Sequence, residues 1–248
     1  MIADLAIFWP ALVAGLLVSA THVPLGIQVL NRGIVFIDLA VAQIAGLGVV
    51  LSDALGFEHH GTAVQAFAFG AALAGALLLN FTERLWPEVQ EAIIGVAFIV
   101  AANAAILLLA ANPHGAEHLK DLLVGQILWV KADQLLPVAL ISAGILGIWF
   151  AFGVGRIGFY LLFACAVTMS VQLVGIYLVF ATLIVPALAT RDMPRARLAV
   201  CYLLAAIAYV TGLALSARAD LPAGPLVVCT ITVLGIALFL TFRPRVPT

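Results

Sequence analysis

The sequence predicts an all-α, polytopic helical membrane protein with about eight transmembrane helices, one of them long or broken. Hydrophobic residues make up 65% of the 248, and charged residues only 9%, where soluble domains carry about a quarter charged. The mean hydropathy is +1.22. The apolar residues lie in long unbroken runs, whereas a membrane barrel would show short alternating segments, and the bilayer core admits only these two architectures.

A run that crosses the hydrocarbon needs about 20 residues. Such runs fall near 6–26, 33–52, 62–80, 90–111, 134–154, 157–188, 197–216 and 223–242. The first follows MIADLAIFWP, which lacks the basic region and short core of a signal peptide, so it is expected to be retained. In the third, Gly70/Ala74 and Ala71/Gly75 recur at four-residue spacing, a pattern that suits close helix packing. The sixth is too long: as one helix it would measure roughly 48 Å against a core of about 30 Å. A break is expected at Gly175 or Pro186, the residues least compatible with a continuous helix. Between the fourth and fifth runs, the half-apolar segment 112–133 is expected to form a short helix at the membrane surface. No stretch reads as a soluble domain, so 1–248 is expected to be a single transmembrane domain.

Basic residues orient the chain. With the N-terminus inside, the cytoplasmic segments hold Lys120, Lys131, Arg191, Arg195, Arg197, Arg243 and Arg245, and the outer ones hold Arg32, Arg84, Arg156 and Arg218. Both termini are therefore expected in the cytoplasm. The net charge of −1 and the lack of a basic tract give no sign of nucleic-acid binding. Cys165, Cys201 and Cys229 fall singly in apolar runs with no CxxC spacing, as small packing residues do. There is no P-loop, so the chain has no ATP site of the usual kind, and no GxSxG, HExxH or GxGxxG stretch suggests an enzyme.

The acids are informative through their scarcity. Within "NRGIVFIDLAVAQIAGLGVVL" (31–51), Asp38 is the one acid expected well inside a span, about six residues below Arg32. A charge there costs at least a few kcal/mol unless it faces a cavity or a partner. Glu91 opens the fourth span on the same side, where a helix N-terminus would also favour it. His22 lies near the outer end of the first span. A carboxylate set joined by imidazole suits zinc or manganese better than an alkali ion or a sugar, so His22, Asp38 and Glu91 are candidate pathway ligands. Gln43 is a poor partner for Asp38, since five residues turn a helix by roughly 140°. On the opposite side, His59 and His60 beside Glu58, and His114 with His118, are weaker loop candidates.

Four stretches, in order, resemble the membrane permeases of zinc/manganese ABC importers. These are "RGIVFIDLAVAQIAGLGV", "QEAIIGVAF", "HLKDLLVGQILWVKADQL" and "VQLVGIYLVFATLIVPALAT", spanning Arg32 to Thr190. The resemblance implies a type II ABC importer-like permease in a bacterial inner membrane, working as a homodimer. It also implies two separate ATP-binding cassette subunits and an extracytoplasmic metal-binding protein. Zinc is the expected substrate, with manganese second, and no permanently bound cofactor is implied. The segment after Pro186, about Ala187 to Arg197, would dock on the ATPase as a coupling helix, with Ala187, Thr190, Arg191, Asp192 and Arg195 taking part. Thr190 and Asp192 would cap the neighbouring helix ends. The binding protein would meet Arg32, Glu83, Arg84 and Glu88.

The chain departs from the family pattern where the metal pair is expected. Aligned on Asp38, the family histidine is replaced by Ala42. Aligned on the distal glycine, Gln43 and Leu39 replace the pair, and Glu91 stands where an Asp is usual. Two other functions compete with the permease reading. A proton-coupled secondary carrier or channel would use Asp38 as its titrating site, and an intramembrane enzyme would pair Asp38 with His22.

Overall fold

The computed structural model describes residues 2–57, 62–109, 127–152, 154–193 and 195–242. Among them nine α-helices follow one another: α1 (Ile2–Arg32), α2 (Ile37–Ala54), α3 (Thr62–Leu85), α4 (Gln90–Leu109), α5 (Ala132–Phe152), α6 (Arg156–Val174), α7 (Ile176–Ala189), α8 (Arg197–Ala219) and α9 (Ala223–Phe242). Short 3-10 turns stand at Pro87–Val89 and Ile127–Trp129. Eight helices are long and apolar enough to cross a membrane, and α7 falls short of that length.

The expected break in the sixth run is at Gly175, which separates α6 from α7 with φ 85° and ψ 161°. That region is open to glycine almost alone. Pro186 sits inside α7 without ending it.

The first connection differs from expectation. Helix α1 continues past residue 26 to Arg32, because Ile27, Val29 and Leu30 keep the helix apolar. Gly33 then stops it with φ +70°. As a result α2 starts at Ile37 rather than at 33, and Asp38 lies in its first turn, not a turn and a half deep.

The chain divides into two compact units. One comprises Met1–Arg32, Val124–Leu146 and Leu173–Thr248 and contains α1, α7, α8 and α9; the other comprises Gly33–Leu123 and Gly147–Gln172 and contains α2, α3 and α4. In the first, α7 packs against α1 and α9, and α8 packs against the same two helices. Val23, Ala181, Cys201, Ala205, Ala208 and Ile231 form a small-residue core there. Gly26 lets α1 approach so closely that a Cβ would collide with the Leu183 carbonyl.

Pro24, inside α1, has no N–H for the carbonyl of residue 20. The Tyr202 hydroxyl of α8 donates to the Ala20 oxygen instead, at 2.8 Å. A neighbouring helix thus satisfies a carbonyl that the bilayer could not.

In the second unit, α2 packs against both α3 and α4. Of the two small-residue stripes on α3, the one carrying Ala71 and Gly75 is used: Gly75 abuts Ile44, and Gly48 abuts Phe67 and Ala71. Gly70 has open space around it. Side chains such as Val96, Val100 and Leu107 on α4, and Val233 and Leu240 on α9, are exposed, as lipid-facing positions are.

Candidate functional site

The residues around Asp38 owe their placement to the turn at 33–36. After Gly33, the Ile37 N–H donates to the Ile34 carbonyl at 3.2 Å and the Ala40 N–H to Phe36 at 3.2 Å, which starts α2. Phe36 occupies the N-cap position and offers no side-chain cap. Asp38 follows in the first turn and is fully buried. Among the described residues neither of its carboxylate oxygens has a hydrogen-bond partner. A carboxylate at a helix N-terminus gains about 0.3–1 kcal/mol, and at most about 2, from the backbone dipole. Burial of a charge at membrane depth costs at least a few kcal/mol, so the dipole alone leaves a deficit.

Glu91 is tied to the same turn. It lies in the first turn of α4, and its Oε1 accepts the Phe36 N–H at 3.2 Å. The neighbouring Gln90, buried among α3 residues, holds that first turn in place. Its Nε2 donates to the Leu79 carbonyl at 2.9 Å and to the Tyr160 hydroxyl at 3.5 Å, and its Oε1 accepts from Thr82 at 3.0 Å. A 3.6 Å ion pair between Arg156 and Glu83 links the start of α6 to the end of α3. The sequence did not single out Gln90, Thr82 or Tyr160. The available signal was a glutamine at the mouth of an apolar run, directly before Glu91.

His22 belongs to the other unit. It is fully buried, and its Nδ1 lies 3.0 Å from the Val18 carbonyl and 3.0 Å from Thr21 Oγ1. A carbonyl only accepts, so Nδ1 carries a proton, and in the uncharged ring Nε2 is the lone-pair nitrogen. Among the described residues Nε2 has no hydrogen-bond partner. No three His, Cys, Asp or Glu side chains among the described residues stand together as a metal centre. His59, His60, Glu58, His114, Glu117 and His118 lie outside the described residues, as does most of the segment expected at the membrane surface.

Among its described residues, the 187–197 segment forms no separate helix. Ala187 is part of α7 and Thr190 is its C-cap, and both are buried. Among the described residues of the connection, only Arg191, Asp192, Arg195 and Ala196 are exposed. Thr190 Oγ1 does serve the end of α7, donating to the Pro186 carbonyl at 2.8 Å. Asp192 does not cap α8, whose N-cap is Ala196 and lacks a side-chain cap. The Asp192 carboxylate accepts from Arg191 Nε instead, at 3.4 Å. Cys201 is a buried packing residue that also hydrogen-bonds. Arg84 and Glu88 are exposed, while Arg32 and Glu83 are half-buried.

The model of the ABC 3 transport family matches residues 4–154 and 150–242. No curated protein sequence matches the chain. Among solved structures, PsaBC from Streptococcus pneumoniae in complex with Fab is similar, with a TM-score of 0.74 and 20% identity over 94% of this chain and 91% of that one. A chain described as a metal-chelate type ABC transporter in an inward-facing conformation is also similar. It gives a TM-score of 0.66 and 17% identity over 94% of this chain and 86% of the other.

Proposed function

This chain belongs to the ABC 3 transport family, and on that premise we propose that it is the membrane-spanning permease of an ATP-driven importer of divalent transition metal ions. Zinc is the preferred substrate and manganese the second. The observation that carries the metal reading is Asp38, a fully buried carboxylate with no hydrogen-bond partner among the described residues. A passing divalent cation would offset the burial deficit that the helix dipole leaves. Oxygen and imidazole donors suit zinc and manganese. A path with single ligands, instead of a closed cage, holds an ion weakly enough to release it. In this reading Asp38 and Glu91 act at the outer end of one unit and His22 acts in the other; His59 and His60 would receive the ion inside.

The sequence carries no P-loop, so ATP hydrolysis is assigned to two separate cassette subunits, engaged through Arg191, Asp192 and Arg195. A second copy of the chain completes the permease, and 1–248 acts as one transmembrane domain. A binding protein outside would approach Arg32, Glu83, Arg84 and Glu88. The location proposed is a bacterial inner membrane with both termini cytoplasmic. Family membership argues against the self-contained carrier.

The test is transport by the permease assembled with its cassette subunits in proteoliposomes, with radioactive Zn²⁺ or Mn²⁺ delivered from the binding-protein side. ATP-dependent zinc entry faster than manganese entry is expected. Entry that ignores ATP would reject the importer reading, and faster manganese entry would reverse the choice of metal.

A further inference from the structure

The C-terminal end of α7 is held by side chains from a different helix. The last carbonyls of a helix lack intrahelical donors; here Ala187 receives one from α8, and Pro186, which already accepts the Thr190 N–H and Oγ1, receives a further one. Cys201 Sγ donates to the Pro186 oxygen at 3.2 Å, and Arg197 Nη2 donates to the Ala187 oxygen at 3.0 Å. Thr190 Oγ1 joins them, 3.0 Å from Cys201 Sγ. Arg197 and Cys201 are one turn apart, so they present the same face of α8 to α7.

Local rules argue against this arrangement, which makes its tertiary role visible. Arg197 is the first residue of α8, the end where a cation is disfavoured by its own helix dipole. At the C-terminus of α7 the same cation is favoured, and a charge-assisted bond to a carbonyl is among the stronger hydrogen bonds. Ala196, just before it, adopts a left-handed conformation (φ 57°) with no side-chain cap, a geometry non-glycine residues rarely take. Such conflicts between local preference and final structure concentrate where the structure serves a task. The same stretch of α8 also carries Tyr202, bound to the Ala20 carbonyl of α1. On the other flank, the Arg191 guanidinium lies over the Phe239 ring of α9, 5.3 Å from its centroid.

We infer that Arg197 and Cys201 are positioning residues, a clasp that makes the exposed α7–α8 connection move as one piece with the end of α7. The inference rests on the proposed engagement of that connection by an ATP-hydrolysing partner, and it adds how displacement passes inward. With the clasp closed, a push on Arg191, Asp192 or Arg195 shifts α7 itself. With it open, the turn absorbs the push. Through Tyr202 the start of α8 carries the same displacement to α1.

Two measurements separate the clasp from the coupling reading beneath it. The first is amide hydrogen exchange in the connection and the last turn of α7, measured on the full-length permease in detergent. Arg197→Ala is expected to speed exchange there roughly tenfold or more, with Arg197→Lys close to wild type because an ammonium still reaches the carbonyl. Cys201→Ala should give a smaller increase, reversed in Cys201→Ser. Unchanged exchange in Arg197→Ala overturns the clasp whatever the function. The second is zinc transported per ATP hydrolysed by the assembled transporter in proteoliposomes. Arg197→Ala should lower this ratio several-fold and Arg197→Lys should restore it. Faster exchange with an unaltered ratio overturns the positioning role. If Arg191→Glu with Arg195→Glu also leaves the ratio unaltered, the coupling reading fails as well. Should Arg197→Ala not accumulate, Arg197→Gln, which keeps a donor without charge, is measured in both assays and must fall between Lys and wild type on one side and Cys201→Ala on the other.

Discussion

The Tyr202 hydroxyl donates to the Ala20 carbonyl at 2.8 Å, taking up the acceptor that Pro24 leaves unserved in α1. The two residues are linked by a covalent fact four positions downstream of one of them. Tyr202→Phe should therefore cost about 0.5–1.5 kcal/mol, the net worth of a hydrogen bond to this half-buried carbonyl. Pro24→Ala restores an intrahelical donor, and in that background the Tyr202→Phe cost should shrink to a few tenths. A thermal-unfolding double-mutant cycle in detergent measures the coupling; additive effects would show that Tyr202 does not serve this carbonyl.

Asp38→Asn removes the charge and keeps the shape. Zinc uptake by cells should fall roughly tenfold or more, a loss read directly as a rate ratio. Thermal stability should change little, since an amide of the same shape replaces a buried carboxyl without a described hydrogen-bond partner and brings no charge to desolvate. A normally expressed Asp38→Asn protein with wild-type uptake would take Asp38 out of the pathway.

Glu91 has two separable tasks, accepting the Phe36 N–H and carrying charge. Glu91→Gln keeps the acceptor, so it should melt near wild type and yet take up less zinc. Glu91→Ala loses both and should also be destabilised by about 0.5–1.5 kcal/mol. Full uptake in Glu91→Gln would leave Glu91 only its place in the turn.

Gln90 binds the first turn of α4 to Leu79, Thr82 and Tyr160. Gln90→Leu should lower stability by about 1–3 kcal/mol, because Thr82 and Tyr160 lose a buried partner. Uptake should drop as well, since Glu91 depends on that turn. The pairing of a lower melting temperature with reduced uptake is the outcome expected; a stable variant would mean the network adds little.

Arg191→Glu combined with Arg195→Glu reverses charge on the exposed part of the α7–α8 connection. Zinc transported per ATP should fall several-fold while the permease alone melts close to wild type, apart from the loss of the Arg191–Phe239 contact, worth about 0.5–1 kcal/mol at an exposed site. An unchanged ratio would remove this connection from ATPase coupling.

The sequence by itself determined that the chain is a bundle of membrane-crossing helices. A run of about twenty apolar residues has one satisfactory conformation in a bilayer, and reading it requires no neighbour. The last span was legible to the residue and the one before it to within three; of the two break points the sequence offered, Gly175 is the one used, because φ 85° is a backbone state that glycine alone adopts easily. Four stretches in order, from Arg32 to Thr190, were enough together to point to the family.

Tertiary structure decided everything that depends on a second helix. The end of α1 is a local exception: Gly33 set it at Arg32 rather than 26, and this moved Asp38 from a turn and a half deep to the first turn of α2. Which of two equivalent small-residue stripes on α3 packs depended on Ile44 and Gly48 across the interface. The roles of Gln90, Tyr202, Arg197 and Cys201 were hidden for the same reason. Tyr202 and Arg197 reach carbonyls left open by a proline and a helix end, Gln90 and Cys201 bond to the Leu79 and Pro186 carbonyls of other helices, and a linear pattern does not record which carbonyl a distant side chain will meet.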